Sequence, residues 1–357
     1  MSVASTTRIP MRIALIGPPF IEIPPRAYGG TELFIANLAS ALQADGHDVT
    51  VYGNGDSSPS CALKWRYPHA EWPPDGTARA SLKNADHTAW AVHDAGTYAD
   101  VVHLNDVVGL PFTMFTKVPT VLTIHHPHEP ELSEQYARYP RVDYVAIARW
   151  LAQAEPMPRV HVVHHGIPTG DYAFAEHKED YVAFLGRMAP CKGAHLAIEA
   201  ARRAGMRLKL AGEVQRLFRD YWERQVLPLI DGDQIEYIGE ADFATKNALL
   251  SSARALLFPI QWQEPFGLVL VEAMACGTPA LAFAGGAVEE IVTNGVNGWI
   301  CADVDDMARR MRSIAIPAAE CRATVEARFS LDRMADEYER IYERVIVETQ
   351  SDTKLEA

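Results

Sequence analysis

Short apolar runs alternate with segments of helical period along almost the whole chain, and the alternation restarts after a polar, irregular stretch at residues 166–180. No other feature narrows the fold as much, because such repeats close into parallel sheets with helices on their faces. The first half offers strands at 13–16, 49–52, 101–104, 121–124, 144–147 and 160–164, and a helix at 31–44 that Gly46 ends. Residues 54–77, rich in proline and turn formers, read as loop. The second half offers strands at 182–185, 208–210, 235–238, 255–258, 280–283 and 299–301, with helices at 194–204 and 216–230. A last helix places Leu331, Met334, Tyr338, Ile341, Tyr342 and Val345 on one stripe. At 357 residues the chain exceeds what one core supports. The expected fold class is therefore α/β, as two parallel-sheet units whose strands' carboxyl ends face a ligand cleft. The predicted divisions are a disordered leader at 1–10, a first domain at 11–168, a second at 169–328, a closing helix at 329–348 and a tail at 349–357.

Composition excludes several classes of function. With 48% hydrophobic and 22% charged residues the chain is ordinary globular material. A formal net charge of −13 argues against nucleic acid, which requires a basic footprint. It also disfavours an anionic membrane surface, since no Lys/Arg-rich amphipathic helix is present. The five cysteines include no CxxC pair and suit a reducing cytosol. No apolar run reaches transmembrane length, and Gly17-Pro18-Pro19 interrupts the first one too early for a signal peptide. The expected location is cytoplasmic, or loosely membrane-peripheral.

Residues 254–283, RALLFPIQWQEPFGLVLVEAMACGTPALAF, carry the densest chemical signal. An apolar run leads to a loop bearing Glu264, and Pro265 is predicted to open a helix in which Glu272 is the lone charge. An unpaired carboxylate on so apolar a face costs several kcal/mol (about 3–5), so Glu272 should have a partner. Eight residues apart, the two acids can grip two parts of one elongated ligand as acceptors of sugar hydroxyls. Backbone amides near Phe266, Gly267 and Leu268 would cradle phosphate at the helix start. The plainer alternative makes Glu264 a helix cap and Glu272 a satisfied core acid.

Three further segments belong with it. FLGRMAPCKG (184–193) sets Arg187 and Lys192 after a strand, where two cations can neutralise a diphosphate or merely form a solvated pair. In PPRAYGGTE (24–32), Gly29 and Gly30 either supply turn geometry or bring bare amides against a ligand. A nicotinamide site is disfavoured, because Gly17 begins no GxGxxG pattern. TVLTIHHPHEP (120–130) ends a strand in His125-His126, and the first of these directly follows the strand. His125 is the substrate-contacting candidate, with His126 one residue away as its rival; structural histidines are the alternative. His126, His128 and Glu129 could also supply metal ligands, but nothing in the spacing fixes a site.

Together these segments resemble family 4 of the retaining, nucleotide-sugar-dependent glycosyltransferases, which have the GT-B fold. The likeness spans roughly residues 11–347, and its most specific part is the E-x7-E of Glu264 and Glu272 followed by AMACGTPALAF. AYGGTE, GRMAPCKG, TIHH, FAGGAVEEIV and NGVNGWI match other family landmarks in order. The resemblance implies two Rossmann-like domains, with the last helix crossing back to the first. It implies His125 and Glu264 as catalytic residues, His125 beside the anomeric carbon and Glu264 near the transferred sugar. Arg187 and Lys192 would hold the diphosphate, Glu272 the ribose, and the amides at Phe266, Gly267 and Leu268 the sugar and phosphate. Gly30 would lie in the loop of the first domain that closes over the donor, with Gly29 beside it as a further substrate-binding residue, and Glu289 would sit near the phosphate and sugar side. The implied reaction is metal-independent, retaining hexosyl transfer from a nucleotide-diphosphate sugar, UDP by family preference, to an acceptor hydroxyl on a glycan, a lipid-linked sugar or a small metabolite. No cofactor is implied. A sugar-nucleotide epimerase of the same architecture and a non-catalytic sugar-nucleotide-binding protein are the alternatives. One departure stands out: the family's Asn-Gly-Ile/Val-Asp at the domain junction is His165-Gly166-Ile167-Pro168 here.

Overall fold

Parallel strands buried on both faces need continuous apolar runs, and the chain supplies them in two sets. In a computed structural model, which describes residues 9–26, 29–74 and 76–356, the first set forms a seven-stranded parallel sheet. Its strands are β1 (Arg12–Ile16), β2 (Asp48–Gly53), β3 (Ala62–Trp65), β4 (Val101–Leu104), β5 (Thr120–Ile124), β6 (Asp143–Ala146) and β7 (Val160–Val162). They lie in the order β3-β2-β1-β4-β5-β6-β7. The second set comprises β8 (Tyr181–Leu185), β9 (Arg207–Ala211), β10 (Ile235–Tyr237), β11 (Leu256–Phe258), β12 (Ala280–Phe283) and β13 (Gly298–Cys301), ordered β10-β9-β8-β11-β12-β13. Each order reverses direction once, beside β1 and beside β8, and such reversals open a crevice at the strands' carboxyl ends.

The structure departs from expectation where apolar pattern is weak. Strand β3 lies within the stretch read as loop; its residues ALKW are half exposed at a sheet edge, so no buried run announces it. The helix expected at 216–230 is a succession of short helical turns, because Pro228 lacks the N–H that a continuous helix needs. The closing helix runs over Leu331–Glu356, past the tail expected from 349, since no glycine or proline interrupts it. Of the expected leader, residues 1–8 lie outside the described residues, as do Ala27 and Tyr28 of the PPRAYGGTE loop.

The chain passes between the sheets twice, and the two passages touch. Ile167 N–H donates to Phe329 O (2.9 Å) and Leu331 N–H to Ile167 O (3.0 Å), so residues 166–168 and 329–331 run as a paired ribbon. A side chain at Gly166 would put its Cβ 2.3 Å from Ser330 O. Beyond this crossing, Met334, Tyr338, Tyr342 and Val345 bury against Ile13, Leu15, Phe34 and Leu38 of the first unit. Two buried hydroxyls pin the helix there. Tyr342 OH meets His103 Nδ1 at 2.6 Å, and Tyr338 OH meets Thr123 Oγ1 at 2.8 Å, while Thr123 also bonds His103 Nε2.

A third tie comes from Glu290, in the short helix Val288–Ile291 of the second unit. Its carboxylate accepts from the N–H groups of Arg149 (2.9 Å) and Trp150 (2.8 Å), capping a helix of the first unit, and bonds His164 Nε2 at 2.8 Å. Gly166→Ala should lower stability by about 1–3 kcal/mol through overpacking at the crossing. The midpoint of thermal or urea unfolding measures this, and an unchanged midpoint would show that the crossing has room to spare.

Candidate active site

Where the two sets of carboxyl-terminal strand ends face each other lies a cleft of about 570 Å³. It brings together the sequence candidates from both halves. His125, Gly29 and Gly30 come from the first unit, and Arg187, Lys192, Glu264, Phe266, Gly267, Leu268 and Glu272 from the second. Each follows a strand end: His125 follows β5, Arg187 follows β8, and the Glu264 loop follows β11.

The helix carrying Glu272 begins later than Pro265 suggested. It spans Leu268–Ala275, preceded by Gly267 at φ 94°, a left-handed conformation that a side chain would strain. Gly267 therefore stops helix from forming at Pro265 and leaves the helix start without a side-chain cap. Uncapped amides with the positive end of the helix dipole behind them suit an anion. From Leu268 to Glu272 the axis advances about 6 Å, enough to separate two groups of one ligand.

Both acids are paired, and each pairing includes residues absent from the sequence argument. Glu264, 7% exposed, accepts through Oε2 from Lys192 Nζ (2.6 Å) and Trp262 Nε1 (2.8 Å). The Lys192 ammonium also lies 4.6 Å from the Trp262 ring centroid. Lys192 is thus bound to Glu264, where sequence reasoning had given the two separate tasks; its three donors let it serve a phosphate as well. Glu272, 5% exposed, accepts from Tyr172 OH (3.0 Å) and from Lys246 Nζ. The partner demanded by its apolar surroundings is therefore Lys246 with Tyr172. Lys246 lies 26 residues away in sequence, on another helix, so no local pattern announces it. Arg187 reaches Gln215 at 3.4 Å beside the cleft.

The opposite wall is aromatic. His125 Nε2 meets Asn105 Oδ1 at 3.0 Å, and Asn105 Nδ2 donates to Ile16 O, which fixes the amide's orientation. His125 therefore donates through Nε2, and its Nδ1 is a lone-pair acceptor with no partner among the described residues. His126 differs: its Nδ1 donates to Pro127 O and its Nε2 is taken by Tyr136 OH. His128 is drawn to Glu155 (2.9 Å), so His126, His128 and Glu129 form no common ligand set. Among the described residues, the group of acids close enough to share a cation is Asp45, Asp336 and Glu339, on the first unit's helix end and the closing helix. Glu289 is exposed and outside the cleft lining; its neighbour Glu290 makes the inter-unit contacts.

His165, at the junction position, faces the cleft in a layer of rings. It stacks on His125 (centroids 5.6 Å, interplanar 16°) and meets Phe34 at 4.9 Å and Phe266 at 5.0 Å. Among the described residues its buried Nδ1 has no hydrogen-bond partner. Burial pushes the His165 pKa down to about 3, helped by His164 and Arg333. Burial likewise holds His125 well below the ordinary histidine range, with His165, His103 and His126 adding to the effect. Both rings are neutral at pH 7.

Residues 28–171 match the family described as Glycosyltransferase Family 4, and residues 173–325 match Glycosyl transferases group 1. Glycogen synthase of Mycobacterium tuberculosis (strain ATCC 25618 / H37Rv) is 27% identical, over 89% of this chain and 89% of that protein. The phosphatidyl-myo-inositol mannosyltransferase of Mycobacterium leprae (strain TN) is 26% identical, over 94% and 97%. Among solved structures, AviGT4, a glycosyltransferase involved in avilamycin A biosynthesis, is 25% identical with a TM-score of 0.73, covering 95% of this chain and 98% of that one. Anabaena HepE in complex with UDP and glucose gives a TM-score of 0.73 at 19% identity over 94% and 100%, a likeness of fold alone.

The buried histidines also set a pH response. Burial lowers His87 to about 4, and His103 and His165 to about 3. Below about pH 6.5 the unfolded chain takes up protons that these folded rings refuse. Stability is therefore full above that pH and falls by about 1.4 kcal/mol per pH unit for each ring as the solution becomes more acid. Glu32, raised to about 7 chiefly by burial, opposes one of them between its unfolded and folded values. Thermal midpoints should hold between pH 7.5 and about 6.5 and then drop toward pH 5.5, and a profile that stays flat down to pH 5.5 would contradict the assignment of neutral rings. Gly30→Ala is a separate probe, since a Cβ there meets nothing within 4 Å. It should leave stability unchanged to within about 1 kcal/mol, while kcat/KM falls if that backbone touches a ligand.

Proposed function

Because the chain belongs to the family 4 type of glycosyltransferases, with two Rossmann-like domains in the GT-B arrangement, we propose that it moves a hexose from a nucleotide-diphosphate sugar to an acceptor hydroxyl, with retention at the anomeric carbon and without a metal ion. One observation carries this reading. Two buried acids on a single short segment, each held by its own lysine, flank an uncapped helix start and face a neutral histidine across the cleft.

In this reading Glu272 accepts the ribose hydroxyls, and the amides at Gly267 and Leu268 meet the diphosphate together with Arg187 and Lys192. The sugar lies between Glu264 and His125. Lys192 and Trp262 occupy Oε2 of Glu264, which leaves Oε1 to accept from sugar hydroxyls. The Nδ1 lone pair of neutral His125 accepts another, and this choice of histidine rests on His126 having both nitrogens engaged. As the bond between the anomeric carbon and the diphosphate breaks, negative charge grows on the leaving oxygen. Fixed cations and amides stabilise that charge without reorganising, and the sugar's developing positive charge faces the Glu264 carboxylate. Uridine is the expected base, in keeping with the UDP and glucose bound by the structurally similar HepE.

A panel of UDP-, GDP- and ADP-sugars, scored by thermal shift and slow hydrolysis, identifies the donor; NMR of the product then gives the anomeric configuration. Glu264→Ala and Lys192→Ala should each cost about 100-fold or more in kcat/KM, and EDTA should leave turnover intact. Near-normal turnover in both variants would remove the mechanism. Donor conversion in the absence of any acceptor would point to epimerisation instead.

A further inference from the structure

We propose that Phe243 is the platform on which the donor's nucleobase stacks, an inference that rests on the nucleotide-sugar reading of the cleft. Phe243 is the first residue of helix Phe243–Ser252, whose start is capped by the Asp242 carboxylate accepting from Thr245 N–H at 2.8 Å. Its ring lines the cleft at 44% exposure, whereas Phe258 and Phe266, the other phenylalanines there, are 3% and 2% exposed. Isolated exposed rings are common and need no explanation. The surroundings make this one different.

Phe243 meets the edge of Tyr172, with centroids 5.4 Å apart and planes at 70°. The Lys246 ammonium lies 5.4 Å from its centroid. Tyr172 and Lys246 are the two side chains that hold Glu272. The exposed ring is therefore fixed to the partners of the ribose-binding acid. In a nucleoside the base springs from C1′, the neighbour of the carbon that bears the 2′-hydroxyl, so a ribose held by Glu272 carries its base about three bonds from the oxygen that is held. The 5′ side leads to the diphosphate and runs toward Gly267, Lys192 and Glu264. The base must take the other direction, and the aromatic surface available there is Phe243.

Stacking on an aromatic ring does not select among bases, because each presents a π face. Phe243 thus supplies affinity for nucleotides as a class, and Lys246, beside the same ring, is placed to meet a carbonyl edge. Removing such a platform typically weakens binding by about 5- to 100-fold.

The test measures dissociation constants of UDP, GDP, ADP and inorganic diphosphate on full-length wild type, Phe243→Ala and Phe243→Trp. Alanine should weaken the preferred nucleotide by about 5- to 100-fold, leave inorganic diphosphate unchanged, and be rescued by tryptophan. Equal nucleotide affinity in alanine and wild type overturns the inference. So does a loss shared by inorganic diphosphate or not rescued by tryptophan, since it reports a loosened Glu272 cluster instead. If wild type binds none of the three nucleotides, the underlying reading of the cleft falls with it.

Discussion

The crossing of the chain at Gly166 and Ser330 is the contact on which the rest depends. Two passages between the domains are hydrogen-bonded side by side, so close that a methyl group at Gly166 has no place. Two passages fixed to one another restrict how the domains move, and Glu290, capping a helix of the opposite domain, adds a polar tie away from the crossing. The cleft's width follows from these contacts. His165, next to Gly166, is at once part of the crossing and part of the cleft wall, so domain placement and site geometry share adjacent residues.

The closing helix makes this arrangement durable. Its apolar stripe belongs to the core of the first domain, although the chain reaches it only after completing the second. Its two tyrosine hydroxyls close a hydrogen-bonded chain with Thr123 and His103 inside that core. Phe34 then touches both Tyr338 and His125, so packing passes from the helix to the cleft through a single ring. No helix of the described residues is long and apolar enough to cross a membrane.

An acidic chain that is to hold the proposed anionic donor must concentrate its cations. Here Arg187, Lys192 and Lys246 line one cleft. Two of them are held by the two buried acids, Glu264 and Glu272, that are proposed to bind the sugar and the ribose. Pairing keeps each buried carboxylate from standing alone, which would cost several kcal/mol (about 3–5 where one partner of a buried pair is missing). It also positions each lysine without a long loop. The same pairing explains why Trp262 and Tyr172 matter: each adds a second donor to a carboxylate that one lysine leaves incompletely satisfied.

Local pattern by itself determined the two parallel sheets, the buried stripe of the last helix and the residues that meet at the cleft. Strand alternation, the E-x7-E segment and histidines at a strand's end are all short-range in sequence. The same reasoning missed β3, whose half-exposed edge residues carry no apolar period, and put the Glu272 helix three residues early because a left-handed glycine outweighs proline's preference. Tertiary structure alone decided which partner each acid takes, because Lys246 and Tyr172 approach Glu272 from separate elements. It alone gave His125 and His126 different partners, Asn105 for one ring and Tyr136 for the other, and placed Glu290 rather than Glu289 between the domains. Those outcomes depend on directions in space between residues far apart in the chain, and a linear pattern records spacing along the chain but not direction across it.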